Sequence, residues 1–328
     1  MNPQRAHLKV VFLAHPPHLR EPWLRDVRDA IGHTHDFVLF DEQAPWANQF
    51  ADVDVVVDQG GGHSTHAMAD MASTVKLWQI LGTGFERFDL VYWRHKNIPV
   101  ANTPGQFSAA ALGECALMFM LMLARRWHET QANLHRGCFY TPTGRELEGA
   151  RLLLIGFGAS AMALTARARP FGLRVSAVDI RDVSEPERQE FNLEEVGKPA
   201  DIDRLLPESD YVSLHLHLNA GTRHILNARR LGLLKPTACL INVARGLLVD
   251  EEALYERLAE GRLGGAALDV FASEPVDPNN PLLKLPNVIA TPHISGTTNG
   301  TSRRRAECVA TNVHRIAQGL QPLYRIDL

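Results

Sequence analysis

The chain has 328 residues, of which 45% are hydrophobic and 22% charged, a globular composition with enough length for about two domains. A formal net charge of −3 excludes a strongly basic surface for nucleic acid or an acidic membrane. Four scattered cysteines indicate neither a disulfide framework nor a zinc site. The N-terminus lacks a signal-peptide pattern, and the most apolar run, Ala116–Ala124, is far shorter than the ~20 residues that span a bilayer. We therefore expect a cytoplasmic protein without a structural metal.

Short β-branched runs alternate with helical patterns in the first hundred residues. The predicted strands are "LKVVFLAH", "DFVLFD", "DVDVVVD" and "VKLWQIL", and helices are predicted over Glu21–Ile31 and Ala67–Ser73. Buried strands that alternate with helices are typical of a parallel sheet covered on both faces. The first part of the chain is therefore predicted to be an α/β domain.

A long helix is predicted from Ser108 to Arg126, and it is apolar nearly all round, which is typical of burial between domains or subunits. After it, a helix is predicted over Ser160–Arg169 and an amphipathic one over Thr301–Gln318. The second series of predicted strands is "ARLLLIG", "LRVSAVD", "YVSLHLHL", "ACLINVA", "GAALDV" and "NVIATPH". The alternation therefore restarts, which predicts a second α/β domain.

The expected fold is α/β, with two Rossmann-like or flavodoxin-like domains that have parallel sheets and are joined by the long helix. No strand follows the last helix, so we expect that helix to return to the first domain. The first domain is then 1–102 plus 297–328, and the second domain is 103–296. Ligands of such sheets bind at the carboxyl ends of the strands, so we expect the active site in a cleft between the domains.

The stretch "IGFGASA" carries a dinucleotide-binding fingerprint between a predicted strand and a predicted helix. Gly156 permits the tight turn, Gly158 lets the backbone approach a pyrophosphate, and Ala161 allows close packing of helix on strand. The pyrophosphate would lie on the helix N-terminus, where free N–H groups and the helix dipole favour negative charge. Ala159 and Ser160 belong to the same predicted cofactor-binding turn.

An acidic residue, Asp179, follows Gly156 by 23 residues and ends the next predicted strand. A carboxylate at this point accepts hydrogen bonds from the adenosine ribose and repels a 2′-phosphate. Arg181 lies nearby, and we expect it to be solvated rather than to bind a phosphate. The sequence therefore predicts NAD as the cofactor.

Three further stretches, "VANTPGQFSAAALGECALMFMLMLARR", "LINVARGLLVDEEALYERLAEGRLGGAALDVFASEP" and "NPLLKLPNVIATPHISG", complete a pattern with the fingerprint. Together they resemble the D-isomer-specific 2-hydroxyacid dehydrogenases, in order, from about Leu77 to Gly296. The resemblance implies NAD-dependent interconversion of a D-2-hydroxy acid and its 2-keto acid. By motif position, the implied catalytic residues are Arg245 of "NVARG", Glu274 of "SEP" and His293 of "TPH".

The same resemblance implies further ligand contacts. Val243, Ala244 and Asp269 are implied to contact the nicotinamide or its ribose, and Leu216 and His217 to lie beside the adenine. The backbone around Thr83 and Gly296 is implied to contact the cofactor as well. The backbone of Gly82 and Gly84 is expected to contact the substrate carboxylate. It also agrees with a homodimer in which the apolar face of the long helix is buried near the two-fold axis.

The residue types suit the implied chemistry. A guanidinium such as that of Arg245 holds a carboxylate and a carbonyl oxygen together. A histidine at His293, with an ordinary pKa of ~6.5, can give a proton to the carbonyl oxygen and take it back in oxidation. A carboxylate at Glu274 fixes the imidazole tautomer and stabilises its charged form.

Departures from the family pattern keep alternatives open. Ser160 stands where an apolar residue is usual, Pro170 interrupts the helix that follows, and the Gly60–Gly62 loop with His63 leaves the identity of the substrate open. A phosphonate-type dehydrogenase on the same scaffold is one alternative. Formate oxidation is disfavoured, because formate dehydrogenases that resemble this family pair the histidine with a glutamine, whereas this chain has Glu274. A non-catalytic, NAD-sensing module similar to a corepressor is the alternative from another class.

Overall fold

The computed structural model describes residues 7–14, 21–60 and 62–328, so His15 of the first predicted strand and Gly61 of the glycine loop lie outside the described residues. The strands are β1 (Lys9–Leu13), β2 (Asp36–Leu39), β3 (Val55–Asp58), β4 (Leu77–Ile80), β5 (Val100–Ala101), β6 (Arg151–Ile155), β7 (Arg174–Val178), β8 (Leu193–Gly197), β9 (Tyr211–Leu214), β10 (Cys239–Asn242), β11 (Gly265–Leu268) and β12 (Val288–Ala290).

The helices alternate with these strands along most of the chain. They are α1 (Trp23–Ile31), α2 (Trp46–Phe50), α3 (His66–Met71), α4 (Leu90–His95), α5 (Ala109–Ala124), α6 (Trp127–His135), α7 (Ala159–Ala168), α8 (Glu185–Phe191), α9 (Ile202–Leu205), α10 (Ala228–Leu231), α11 (Glu251–Ala259) and α12 (Asn299–Ala317). Within the described ranges, no helix is both long and apolar enough to cross a membrane.

The chain forms two compact units, one made of residues up to Phe107 together with 298–328, and the other of 108–297. Unit 1 contains a parallel sheet in the order β2-β1-β3-β4-β5. This is the 2-1-3-4-5 order of flavodoxin-like sheets, in which the chain leaves β1 toward opposite sides. The switch point of this sheet therefore lies between β1 and β3.

Alternate residues of the β1 strand enter two different cores, one on each face of the unit 1 sheet. Val10 and Phe12 pack with side chains of α1 and the terminal helix α12. Val11 and Leu13 pack on the other face with side chains of α2, α3 and α4. The near-continuous apolar run of β1 is explained by this burial on both faces.

Unit 2 contains a larger parallel sheet, in the order β12-β11-β10-β9-β6-β7-β8. Its switch point lies between β6 and β9, where the strand order reverses. On one face, α5 and α7 cover the sheet at close range, because Gly113 of α5 has no side chain. A Cβ added at Gly113 would lie 2.8 Å from the Ala163 carbonyl carbon of α7.

The two all-parallel sheets confirm the predicted α/β class, and three local predictions need correction. The β9 strand ends at Leu214, earlier than the apolar run "YVSLHLHL" indicated, because the next residue turns its side chain toward neighbouring serines. The β8 strand was not predicted, because it is the polar edge strand of its sheet. The sequence also predicts that the one concentrated basic run, Arg303–Arg305, lies on a solvated helix turn. In the structure this run belongs to α12 and is exposed only at Arg303, since Arg304 donates to the Phe107 carbonyl.

Candidate active site

The fingerprint turn follows β6 at the switch point of the unit 2 sheet, and its first glycine is sterically required. Gly156 has a φ of 94°, and a Cβ there would lie 2.4 Å from the His215 carbonyl oxygen. A larger residue would therefore push the turn away from β9. Gly158, by contrast, is exposed, and a Cβ added to it would meet open space.

The N-terminus of α7 has the form of an anion site. Gly158 is its N-cap and supplies no side-chain hydrogen bond, so the first N–H groups of the helix stay free for an external acceptor. Ala161 is fully buried and lets the helix pack on the sheet, and Ala159 opens the first turn. The open space at Gly158 and the uncapped N–H groups fit a dinucleotide pyrophosphate.

Ser160, the departure from the usual pattern, has a partner in this structure. Its Oγ lies 2.9 Å from Nδ1 of His215, while Nε2 of the same ring lies 2.9 Å from Oγ of Ser213. Burial lowers the pKa of the His215 imidazole to about 3, so the ring is neutral and offers one donor and one acceptor. The Ser160 hydroxyl therefore ties the first turn of α7 to the end of β9 without adding a positive charge.

The acid after β7 is bound to the fingerprint turn itself. One Asp179 oxygen accepts the Phe157 N–H at 2.6 Å, and the other accepts the Arg181 N–H at 2.9 Å. The expectation of a solvated Arg181 is wrong, because its guanidinium donates to both Glu187 oxygens and to the Phe157 carbonyl. A bidentate ion pair of this kind holds Arg181 away from the role of a free phosphate ligand.

The loop after β10 carries Arg245, and a buried asparagine shapes it. The Asn242 side-chain oxygen accepts the Ala244 N–H at 3.1 Å, and its nitrogen donates to the Arg245 carbonyl at 2.9 Å. The next residue must be glycine, because a Cβ at Gly246 would lie 1.9 Å from the Phe271 carbonyl carbon. Sequence analysis did not single out Asn242, although a polar residue that ends a buried strand was a usable signal.

The predicted acid–base pair is brought together. Oε2 of Glu274 lies 2.8 Å from Nδ1 of His293, and the side chains are 26% and 50% exposed, respectively. The other oxygen of Glu274 accepts the Phe271 N–H at 3.0 Å, which fixes the orientation of the carboxylate. A carboxylate only accepts, so Nδ1 carries a proton and Nε2 is the atom that can exchange one with a substrate.

The pKa of Glu274 reflects its interaction with the charge of His293. Burial raises the pKa of the Glu274 carboxyl, but the hydrogen bond and charge of His293, the Phe271 N–H and the nearby Arg245 charge together outweigh burial. The net pKa of Glu274 therefore lies below its ordinary value. The carboxylate is ionised at neutral pH, which is the state that stabilises an imidazolium.

The loop that carries His293 is held by a buried carboxylate. Asp269 has 0% exposure, and its oxygens accept the Thr291 hydroxyl at 2.6 Å and the N–H groups of Ile294 and Ser295 at 2.8 Å each. His293 itself has a φ of 56°, a conformation that costs free energy in a non-glycine residue. Asp269 therefore imposes the backbone conformation of the loop that carries His293.

The remaining predicted residues of unit 2 lie at the same carboxyl edge. Leu216 and His217 follow β9, and Val243 and Ala244 follow β10 as buried residues. Gly296 ends the His293 loop against the first turn of α5, where a Cβ would lie 3.6 Å from Leu112. Their contacts with a cofactor stay predictions.

The predicted substrate-binding residues Gly82 and Gly84, and the predicted cofactor-binding residue Thr83 between them, follow β4 in unit 1. Asn102 donates to the Thr83 carbonyl at 2.8 Å, and the Thr103 N–H donates to the Gly82 carbonyl at 3.2 Å. The Thr83 hydroxyl donates to the Thr103 carbonyl at 2.9 Å and accepts from the guanidinium of Arg305 at 3.3 Å. The loop is therefore fixed through its carbonyl groups and one side chain.

Comparison with known proteins agrees with this site. A family model described as D-isomer specific 2-hydroxyacid dehydrogenase, NAD binding domain, matches residues 117–295. The glyoxylate reductase of Thermofilum pendens is 36% identical over 259 residues, which cover 77% of this chain and 75% of that protein. The hydroxypyruvate reductase of Thermotoga maritima is 36% identical over 257 residues, with 77% and 81% covered.

A solved structure supports the same assignment. The D-lactate dehydrogenase of Aquifex aeolicus, complexed with NAD and lactic acid, has a TM-score of 0.78 and 25% identity, over 94% of this chain and 96% of that chain. The fold and site define an NAD(P)-dependent oxidoreductase that acts on CH–OH groups. The chain belongs to the D-isomer-specific 2-hydroxyacid dehydrogenase family, which confirms the resemblance found in its motifs.

Metal binding has no structural support in the part of the chain that is described. No group of three or more His, Cys, Asp or Glu side chains among those residues is arranged to hold a metal ion.

Proposed function

We propose that the protein interconverts a D-2-hydroxy acid and its 2-keto acid with NAD, using His293 as acid and base, Glu274 as its partner and Arg245 to bind the substrate. The observation that carries this proposal is the 2.8 Å hydrogen bond between Glu274 and Nδ1 of His293. This bond leaves Nε2 on a half-exposed ring for proton exchange. Arg245 lies in the loop after β10, at the same carboxyl edge of the unit 2 sheet.

Each residue has a separate task. When bound, the nicotinamide supplies or receives the hydride at C2 of the substrate. The Arg245 guanidinium neutralises the carboxylate and polarises the keto oxygen. His293 gives a proton to that oxygen during reduction and removes it during oxidation. Glu274 keeps the charged imidazole stable and correctly oriented, and Gly82 and Gly84 of unit 1 supply backbone N–H groups to the carboxylate.

The cofactor is proposed to be NAD rather than NADP. Support comes from the position of the Asp179 side chain directly after β7, and from the ion pair of Arg181 with Glu187. A 2′-phosphate would meet a carboxylate and find the nearest guanidinium already paired. Predicted cofactor contacts from Val243, Ala244 and Asp269 belong to the same proposal.

A homodimer is also proposed, with the segment that begins at α5 as its interface. Large apolar side chains along this segment stay exposed in the single chain: Met118, Trp127, Leu134 and Phe139 are 42%, 43%, 57% and 69% exposed. Such clustered apolar exposure is typical of a surface that a second subunit covers. Sedimentation at micromolar concentration tests it, since a monomer there contradicts the proposal.

The catalytic proposal is tested by the NADH absorbance of the protein mixed with 2-keto acids. We expect turnover of at least one 2-keto acid, and we expect His293→Ala to lose about 10²–10⁴-fold in rate. His224→Ala is a matched control, because His224 also has a positive φ, of 49°, and lies in the same unit. Binding of NADH without turnover of any 2-keto acid would contradict the proposal and favour a sensor.

A further inference from the structure

A cavity of about 280 Å³ lies within unit 1. Its apolar walls include Leu13, Phe40, Trp46 and Met68. Phe40 and Trp46 meet edge to face, with ring centroids 5.6 Å apart. An apolar cavity of about 150 Å³ is already large enough to bind benzene. This one can therefore hold a phenyl ring or a chain of several methylene groups.

The position of the cavity is that of a ligand site. Leu13 ends β1, Phe40 follows β2 and His63 follows β3, so the cavity opens at the carboxyl ends of these strands. Because the sheet order is β2-β1-β3, this is the switch point of the unit 1 sheet. Open parallel sheets bind ligands at that point.

Hydrogen bonds to a buried acid hold the part of the cavity wall that follows β3. Asp58 is buried with 0% exposure and accepts the Gly60 N–H at 3.0 Å. The Ser64 hydroxyl donates to the same carboxylate, and Trp78 donates its Nε1–H to Ser64 at 2.7 Å. His63 is therefore carried by a loop whose two sides are tied to one buried acid.

The cavity wall adjoins the loop that is predicted to bind the substrate carboxylate. A Cβ added to Gly82 would lie 4.0 Å from the Gln59 carbonyl oxygen, so the loops after β4 and β3 are in contact. Four residues beyond Gln59 along the chain, His63 lines the cavity. The loop after β3 therefore both lines the cavity and contacts the loop that is predicted to bind the carboxylate.

We propose that this cavity holds the side chain of the substrate, and that the enzyme prefers 2-keto acids with bulky apolar side chains to glyoxylate. The inference rests on the function proposed above and narrows its substrate class. Relatives named as glyoxylate reductases share about a third of their residues with this chain. A hydrophobic pocket separates substrates that differ by one methylene group by about 10-fold or more.

The polar groups at the cavity define the competing class. Glu42 and His63 line it beside the aromatic rings, and a carboxylate there would attract a basic side chain. The Glu42 side chain is exposed, so water screens that attraction. The apolar walls, which include the buried Leu13 and Met68, decide the preference.

The experiment measures kcat/KM of the unmodified protein with NADH for glyoxylate, pyruvate, 2-oxohexanoate, phenylpyruvate and 2-oxo-5-guanidinopentanoate. We expect 2-oxohexanoate or phenylpyruvate to exceed glyoxylate and pyruvate by about 10-fold or more. A preference for glyoxylate or pyruvate, or for the guanidino acid, would overturn the inference and leave the proposed function standing. Absence of turnover with every acid would instead overturn the proposed function, and the inference with it.

Trimming the apolar wall supplies the second measurement. Trp46 lines the cavity, and its ring lies 5.6 Å from the ring of Phe40, so Trp46→Leu removes an aromatic wall while keeping an apolar side chain. We expect the kcat/KM ratio of phenylpyruvate to glyoxylate to fall by about 10-fold or more. Ala47→Leu is the matched control on the exposed face of α2 and leaves the ratio unchanged. An equal loss for both acids in Trp46→Leu would contradict the assignment.

Discussion

The two sheets of this protein present their carboxyl edges in different ways. In unit 2, two buried polar residues hold the loops that carry Arg245 and His293: Asn242 makes two hydrogen bonds to its loop, and Asp269 accepts three from its loop. In unit 1, a single buried acid, Asp58, anchors a loop beside an apolar cavity. The carboxyl edge of unit 2, where we propose the chemistry, is thus defined by polar bonds to the backbone. The other edge is defined by the shape of its apolar walls.

Matched substitutions of the two buried acids, Asp269 and Asp58, test this difference between the two sheets. Asp269→Asn loses an acceptor for the backbone N–H groups of the His293 loop, and we expect kcat to fall by about 10²-fold for every substrate, the cost of misplacing a catalytic group by about 1 Å. Asp58→Asn should instead change the kcat/KM ratio between large and small 2-keto acids. Steady-state kinetics of both variants on two acids measure this. A uniform loss of kcat in Asp58→Asn would contradict the division of labour.

Substitution of Asp179 tests the cofactor preference that we propose for unit 2. Asp179→Ser removes the carboxylate that would face a 2′-phosphate, and we expect the preference for NADH over NADPH to narrow by about 10-fold or more, since opposed like charges cost several kcal/mol. Glu187→Gln in the same background weakens the ion pair of Arg181 and should narrow it further. The measurement is kcat/KM for both cofactors. Equal use of the two by the unmodified protein would contradict the assignment of NAD.

The smallest expected effect concerns the neutral histidine beside the fingerprint. Since burial lowers the pKa of His215 to about 3, the unfolded chain takes up a proton below pH ~6.5 that the folded chain does not. The free energy of unfolding should therefore decrease as the pH is lowered. This group contributes a decrease of about 1.4 kcal/mol between pH 7.5 and pH 5.5. His215→Gln should lose that part of the pH dependence. Hydrogen exchange of α7 and β9 at both pH values measures it, and an unchanged pH dependence would show that His215 does not contribute.

Most residues of the proposed catalytic edge could be predicted from the sequence, because they occur in local motifs. Gly156, Gly158 and Asp179 are spaced by one strand–helix–strand unit, so their approach follows from the fold class. The pairing of Glu274 with His293 was predicted from their positions in the motifs of the family, and not from their spacing along the chain. The bracing role of Asn242 was missed, since a single buried amide at a strand end has no motif.

The unit 1 cavity could not be predicted in the same way. Its walls come from the ends of β1, β2 and β3 and from α2, and they meet only after the sheet has formed. Phe40 and Trp46 look like ordinary core residues in the sequence, and the polar edge strand β8 was missed for a similar reason. Local patterns report burial, whereas a cavity and a strand order depend on contacts between distant segments.

The coupling of Glu274 to His293 is the central claim, and a pH profile tests it most directly. Reduction needs a protonated imidazole, so kcat/KM for a 2-keto acid at saturating NADH should fall as pH rises through the titration of the acid. Glu274→Gln nearly preserves the shape but removes the charge that stabilises the imidazolium. We expect the falling limb of the profile to move to lower pH in the variant, while oxidation of the hydroxy acid persists to lower pH than before. A limb at the same pH in both proteins would show that the two side chains are not coupled, and would contradict the assignment of His293 and Glu274 as an acid–base pair.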